Sequence, residues 1–75
     1  MNPNALAYFA AGIGAGLTII GGAAAIGRLA AAAMEGTARQ PNAAADIRLS
    51  MIVAASFIEG ATFFALIVAV LLATK

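Results

Sequence analysis

Two long apolar stretches, joined by one short polar stretch, make up almost the whole chain. The first runs without a charged side chain from Met1 to Gly27 and resumes beyond Arg28 from Leu29 to Met34. The second runs from Leu49 to Thr74 and is interrupted by one charge, Glu59. Each exceeds the ~20 residues that a helix needs to cross a hydrocarbon core. The polar and turn-forming residues collect between them in EGTARQPNAAADIR, Glu35 to Arg48. Pro41 has no backbone N–H and biases Gln40 away from helical geometry, so the first helix is expected to end near Arg39. Arg39 would then complement the C-terminal end of that helix dipole. Asn42 is the expected N-cap of the second helix, with Asp46 in its first turn. The pattern predicts one hairpin over residues 1–75, with helix 1 about 4–38, a polar loop about 39–42 and helix 2 about 43–73. At ~1.5 Å per residue each helix is about 45–50 Å long, more than the hydrocarbon requires, so the loop end should stand in water.

Composition turns this hairpin into a membrane hairpin. A chain of 75 residues buries little surface on its own in water. Apolar residues make up 64% and charged residues 9% of the chain, where soluble domains have about 45–50% and about 25%. The expected class is therefore an all-α membrane protein. No Cys or His is present, which excludes disulfides, thiolate and imidazole metal ligands, and Ser-His or Cys-His nucleophile pairs. The net charge is +1 and the four basic residues are spread out, so there is no basic patch for nucleic acid. A signal peptide is not expected, because the N-terminal apolar run lacks a basic flank and is too long. Arg39 and Arg48 flank the loop, and Arg28 can snorkel toward it. Lys75 and the terminal amine lie at the other end. The positive-inside rule then puts the loop in the cytoplasm, or in the equivalent compartment of an organelle, and both termini opposite.

Six of the eight glycines fall in the first apolar run of helix 1: Gly12, Gly14, Gly16, Gly21, Gly22 and Gly27. Glycine weakens helices in water, but in membranes small residues let helix backbones approach closely. Gly12 and Gly16 share a face, as do Gly21 and Ala25, and Ala23, Gly27 and Ala31. A hairpin alone needs one smooth stripe, whereas several smooth faces suggest several neighbours. Helix 2 instead carries bulky residues such as Phe63, Phe64, Leu66 and Ile67. A thin helix beside a thick one makes a wedge. Wedges in head-to-tail contact close into a cyclic homo-oligomeric ring when the rotation angle permits, with the thin helices inside.

Glu59 lies ~16 Å from Arg48 and ~24 Å from Lys75 by helical rise, too deep to snorkel. An ionised acid at that depth costs about 2.5–3.5 kcal/mol, so the protonated, uncharged form is expected. No cation within helix 2 can partner it. Its charge should change only when something outside the helix makes ionisation tolerable. Such a group carries one proton at a time across a field, worth about 2.3 kcal/mol per 100 mV. A purely structural carboxyl would instead donate a hydrogen bond to a backbone carbonyl, or to Ser56 or Thr62. Glu35 and Asp46 read as solvated helix-end charges, Arg28 as an interfacial anchor and Tyr8 as part of an aromatic belt. Gly12-Ile13-Gly14-Ala15-Gly16 lacks the preceding strand and the spacing of a phosphate loop. No metal site or cofactor is implied. A membrane enzyme is disfavoured, because no second catalytic group lies at the depth of Glu59.

Taken in order, these features resemble the c subunit of F-type ATP synthases, the proteolipid of the rotor ring. The most specific element is ARQP, Ala38 to Pro41, between two apolar helices and followed about twenty residues later by a single acid. The family's alternating small residues match Gly21, Ala23, Ala25 and Gly27. The resemblance implies that Glu59 is the carboxyl that binds the transported proton. It would load from one half-channel of the neighbouring a subunit and unload to the other, near a stator arginine. Arg39, Gln40 and Pro41 would contact the γ and ε subunits of the central stalk, and the chain itself would make no bond to ATP. Sodium-binding relatives carry a glutamine on helix 1 and hydroxyls just after the acid. The matching positions here are Ile26, Gly60 and Ala61, which supply no side-chain oxygens, so protons are expected. Some relatives have a locking tyrosine five residues after the acid. That position here is Phe64, and the lock would then be a backbone carbonyl or a water. A structural or pore-forming, holin-like hairpin is the alternative. It accounts for the apolar helices and glycines but not for one mid-membrane acid together with ARQP.

Overall fold

The chain enters its first helix through Asn2-Pro3. In a computed structural model, which describes residues 2–74, the Asn2 side chain accepts a hydrogen bond from the Ala5 N–H at 2.7 Å. Pro3 occupies the first helical turn, where its missing N–H would have had no partner and its fixed φ suits the helix. Met1 and Lys75, the latter counted in the charge asymmetry, lie outside the described residues. Helix α1 runs Pro3–Arg39, a 3-10 turn covers Pro41–Ala43, and helix α2 runs Ala44–Thr74.

Pro41 governs the reversal. Gln40 leaves helical geometry at φ −134°, ψ 75°, as a residue before proline is biased to do. Its N–H still bonds the Gly36 carbonyl at 2.9 Å. The Ala43 N–H then bonds the Gln40 carbonyl at 2.9 Å, closing the 3-10 turn. Asn42 lies inside this turn and its side chain accepts no hydrogen bond from a described residue, so it does not act as the expected N-cap. Pro41 is already set near a right-handed φ, so helical turning begins there and runs directly into α2. No described residue adopts a left-handed backbone. Arg39 is in the last turn of α1 and Asp46 in the first turn of α2, each at the dipole end that suits its charge.

The two helices lie side by side in a flat rod of 58 × 15 × 7 Å. The less exposed positions of α1 include Ala11, Gly22 and Ala33, and those of α2 include Ile47, Ile58 and Ala69. Within each helix these positions recur every 11 residues. That repeat corresponds to ~3.67 residues per turn, close to a straight α-helix, so the contact stripe does not wander off the partner. Among the described residues only Ala11 and Ala33 are buried. Phe57 is 77% exposed, and most large apolar side chains on both helices also face outward. An apolar surface this extensive needs lipid or protein neighbours to cover it.

Two glycines set the approach of the helices. A Cβ on Gly22 would lie 2.7 Å from Thr62 Oγ1, and one on Gly36 would lie 3.3 Å from Ile47 Cδ1. At Gly12, Gly14, Gly16, Gly21 and Gly27 a Cβ would meet nothing within 4 Å. Contact between α1 and α2 therefore does not account for most of the glycines of α1.

Candidate functional site

The Gly22–Thr62 contact fixes the level of the acid. The helices are antiparallel, so three residues from that contact along each one brings Glu59 level with Ala25. Glu59 is exposed on the flank of α2. There it lines a groove of about 470 Å³ with Ile19, Gly22, Ala23, Ile26 and Gly27 of α1 and Thr62, Phe63 and Leu66 of α2. Residues three and four apart share a helix face, which is why Thr62 and Phe63 stand beside the acid. Among the described residues the Glu59 carboxyl makes no hydrogen bond. The Ser56 hydroxyl, one of its possible structural partners, donates to the Ile52 carbonyl at 2.8 Å.

The four small residues expected to pack helix 1 divide between its flanks. Ala23 and Gly27 line the groove of Glu59, whereas Gly21 and Ala25 do not. Positions two apart on an α-helix differ by about 200°, so an alternating pattern smooths both sides of α1. Ile26 presents only an aliphatic side chain to the groove. Gly60 and Ala61 do not line it. Phe64 is 68% exposed and outside the groove, and Phe63 is the aromatic neighbour instead. Arg28 is exposed and does not line the groove either. At the turn, Arg39, Gln40 and Pro41 gather with Asn42, Ala43 and Asp46 around a concavity of about 420 Å³.

Thr62 is the groove residue whose part in the site was not expected from the sequence beyond a possible structural partner. Its signal there is the spacing, three residues after the acid on a helix.

The family of ATP synthase c subunits matches residues 9–72 of this chain, a span that includes the turn, the groove and Glu59. The chain belongs to the ATP synthase c-subunit family. The ATP synthase c subunit of Bacteroides thetaiotaomicron is 51% identical over 61 residues, which cover 81% of this chain and 72% of the relative. That of Phocaeicola vulgatus is 44% identical over 66 residues, covering 88% and 79%. A third, from Sulfurimonas denitrificans, is 40% identical over 67 residues, covering 89% and 64%. No solved structure matches the chain significantly. The family is one of helical-hairpin membrane proteins that form rings. Membership therefore makes the exposed apolar helices those of an integral membrane protein, a non-catalytic rotor-ring subunit of ATP synthase. The holin-like alternative loses its footing with that membership.

Proposed function

We propose that Glu59 binds and releases one proton per step of the rotor ring, coupling a proton gradient to rotation. One observation carries this reading: in a hairpin of the c-subunit family, an unpartnered carboxyl stands at mid-height in an otherwise almost apolar groove. Lipid around the group favours its neutral form, so it keeps its proton while it travels. It ionises only opposite a polar half-channel of the a subunit, where a stator arginine makes the charge tolerable. Among the described residues the Glu59 carboxyl and the Thr62 hydroxyl supply the only side-chain oxygens lining the groove, too few to replace the shell of a bare sodium ion, and this supports protons.

The glycines support ring packing. Gly21 and Ala25 on one flank, with Ala23 and Gly27 on the other, let α1 approach a copy of itself on both sides. The open space at five α1 glycines is the room those neighbours would fill. Arg39, Gln40 and Pro41 form the end of the hairpin that bears on the γ and ε subunits of the central stalk. The loop then lies on the cytoplasmic side, with both termini opposite, following the positive-inside rule.

A carbodiimide reacts with protonated carboxyls, and it should label Glu59 in the assembled ring and lose that reaction at high pH. Glu59→Gln should leave the ring intact and stop ATP-driven proton pumping by the whole synthase. Continued pumping by that variant would refute the assigned role. Labelling should not respond to sodium at fixed pH, and strong sodium protection would overturn the preference for protons.

A further inference from the structure

The lock expected from a tyrosine is missing at Phe64, yet the groove contains one hydroxyl. Of the five other Ser and Thr hydroxyls of the hairpin, four are already occupied, and the fifth, Ser50, is exposed and makes no hydrogen bond to a described residue. Thr18, Thr37, Ser56 and Thr74 each donate to the carbonyl four residues earlier, at 2.8, 2.9, 2.8 and 2.8 Å. This is the ordinary way for a helix in lipid to satisfy a hydroxyl. Thr62 makes no such bond to Ile58 or to any other described residue. Its Oγ1 turns toward α1 instead, into space that exists because residue 22 is glycine. No described side chain has a buried polar atom without a partner, so the oxygen of this half-buried residue is not sealed off, and the residue lines the groove it shares with Glu59.

We infer that Thr62 is the positioning residue that holds the protonated Glu59 carboxyl in the groove while the subunit passes through lipid. Three residues apart on one helix, the two side chains are neighbours. A threonine oxygen has acceptor capacity for the carboxyl O–H, and its own O–H can donate to the other carboxyl oxygen or to a backbone carbonyl. Gly22, having no side chain, leaves the hydroxyl room against the backbone of α1. Among the described residues no other titratable side chain lines the groove, so the hydroxyl acts on Glu59 alone. A hydrogen bond to the neutral carboxyl favours retention of its proton. Opening then requires breaking that bond, which happens when the half-channel supplies water in its place. The inference rests on the proton-binding role proposed for Glu59.

The test is carbodiimide labelling of assembled rings across pH, for the parent, Thr62→Val and Thr62→Ser. Valine keeps the shape and removes the hydroxyl, and serine restores the hydroxyl with less bulk. Intact-complex mass confirms that ring size is unchanged. At a pH where parent labelling has dropped to a tenth of its maximum, Thr62→Val should label about three- to tenfold more slowly, the loss of one net hydrogen bond. Thr62→Ser should follow the parent. Should Thr62→Val not assemble, Thr62→Ala carries the same expectation. A parent-like pH profile for Thr62→Val, or a serine variant that behaves like valine, overturns the inference and leaves the role of Glu59 standing. Absence of labelling in the parent ring, or pumping by Glu59→Gln, would instead remove that role. Sodium protection that disappears in Thr62→Val would make the hydroxyl a metal ligand and overturn both.

Discussion

The contact between Gly22 and Thr62 predicts a substitution whose effect depends on its partner. In Gly22→Ala, the new methyl would lie 2.7 Å from Thr62 Oγ1, 3.4 Å from Cγ2 and 3.6 Å from Cβ. The last two are ordinary contacts and the first is well inside the ~3.5 Å at which non-bonded heavy atoms settle. Either Thr62 turns about χ1 or the helices separate locally, and overpacking of this kind costs about 1–3 kcal/mol. Gly16→Ala is the control, since a Cβ there meets nothing within 4 Å. Both substitutions carry the same gain in helix propensity, up to about 1 kcal/mol, so it cancels between them. Gly22→Ala should therefore be less stable than Gly16→Ala by about 1–3 kcal/mol. In a Thr62→Ala background Oγ1 and Cγ2 are gone and the penalty should vanish. The assay is SDS titration of the monomeric hairpin in detergent micelles, with fluorophores near its two ends reporting helix separation. Equal cost in both backgrounds, meaning a coupling below about 0.5 kcal/mol, would refute the claim that this contact sets the approach of the helices.

Further substitutions separate the hairpin from the ring. Gly27→Leu fills open space and should leave the hairpin stable by the same SDS titration, while intact-complex mass shows loss of rings. Asn2→Ala removes the bond to the Ala5 N–H and should cost about 1 kcal/mol, seen as faster amide exchange in the first turn of α1 only. Arg39→Ala should preserve ring mass and Glu59 labelling but lower ATP-driven pumping by the whole synthase. Unchanged pumping would argue against a central-stalk contact there.

Much of the fold is legible because membranes constrain sequence so tightly. Apolar runs of this length have few uses other than as helices across a bilayer, since lipid leaves backbone groups no partner outside the helix. The reversal at Pro41 is equally local, as proline removes a donor and restricts the residue before it. Asn42 is not the cap its residue type suggests, because the proline-led 3-10 turn removes the need for a side-chain acceptor. The Asn2-Pro3 start carries a recognisable cap signal that the apolar pattern alone hides.

The candidate site is half legible. Glu59 declares itself by its cost in lipid, and ARQP by its place between two spans. Residue spacing also puts Thr62 near the acid, but not the state of its hydroxyl. That depends on whether it bonds its own helix, as Thr18 and Ser56 do, or turns to the other helix.

The sequence by itself determined two apolar helices, a proline-led turn between them, and one acid at mid-depth, because each rests on local backbone chemistry or on the cost of charge in lipid. Only the tertiary structure decided which glycine faces the partner helix and which face outward. It also decided that Ala23 and Gly27 share a groove with Glu59 while Gly21 and Ala25 take the other flank. The reason is register: small residues cover so much of α1 that its own pattern names no unique contact face, and the choice falls to the fit of one helix against the other.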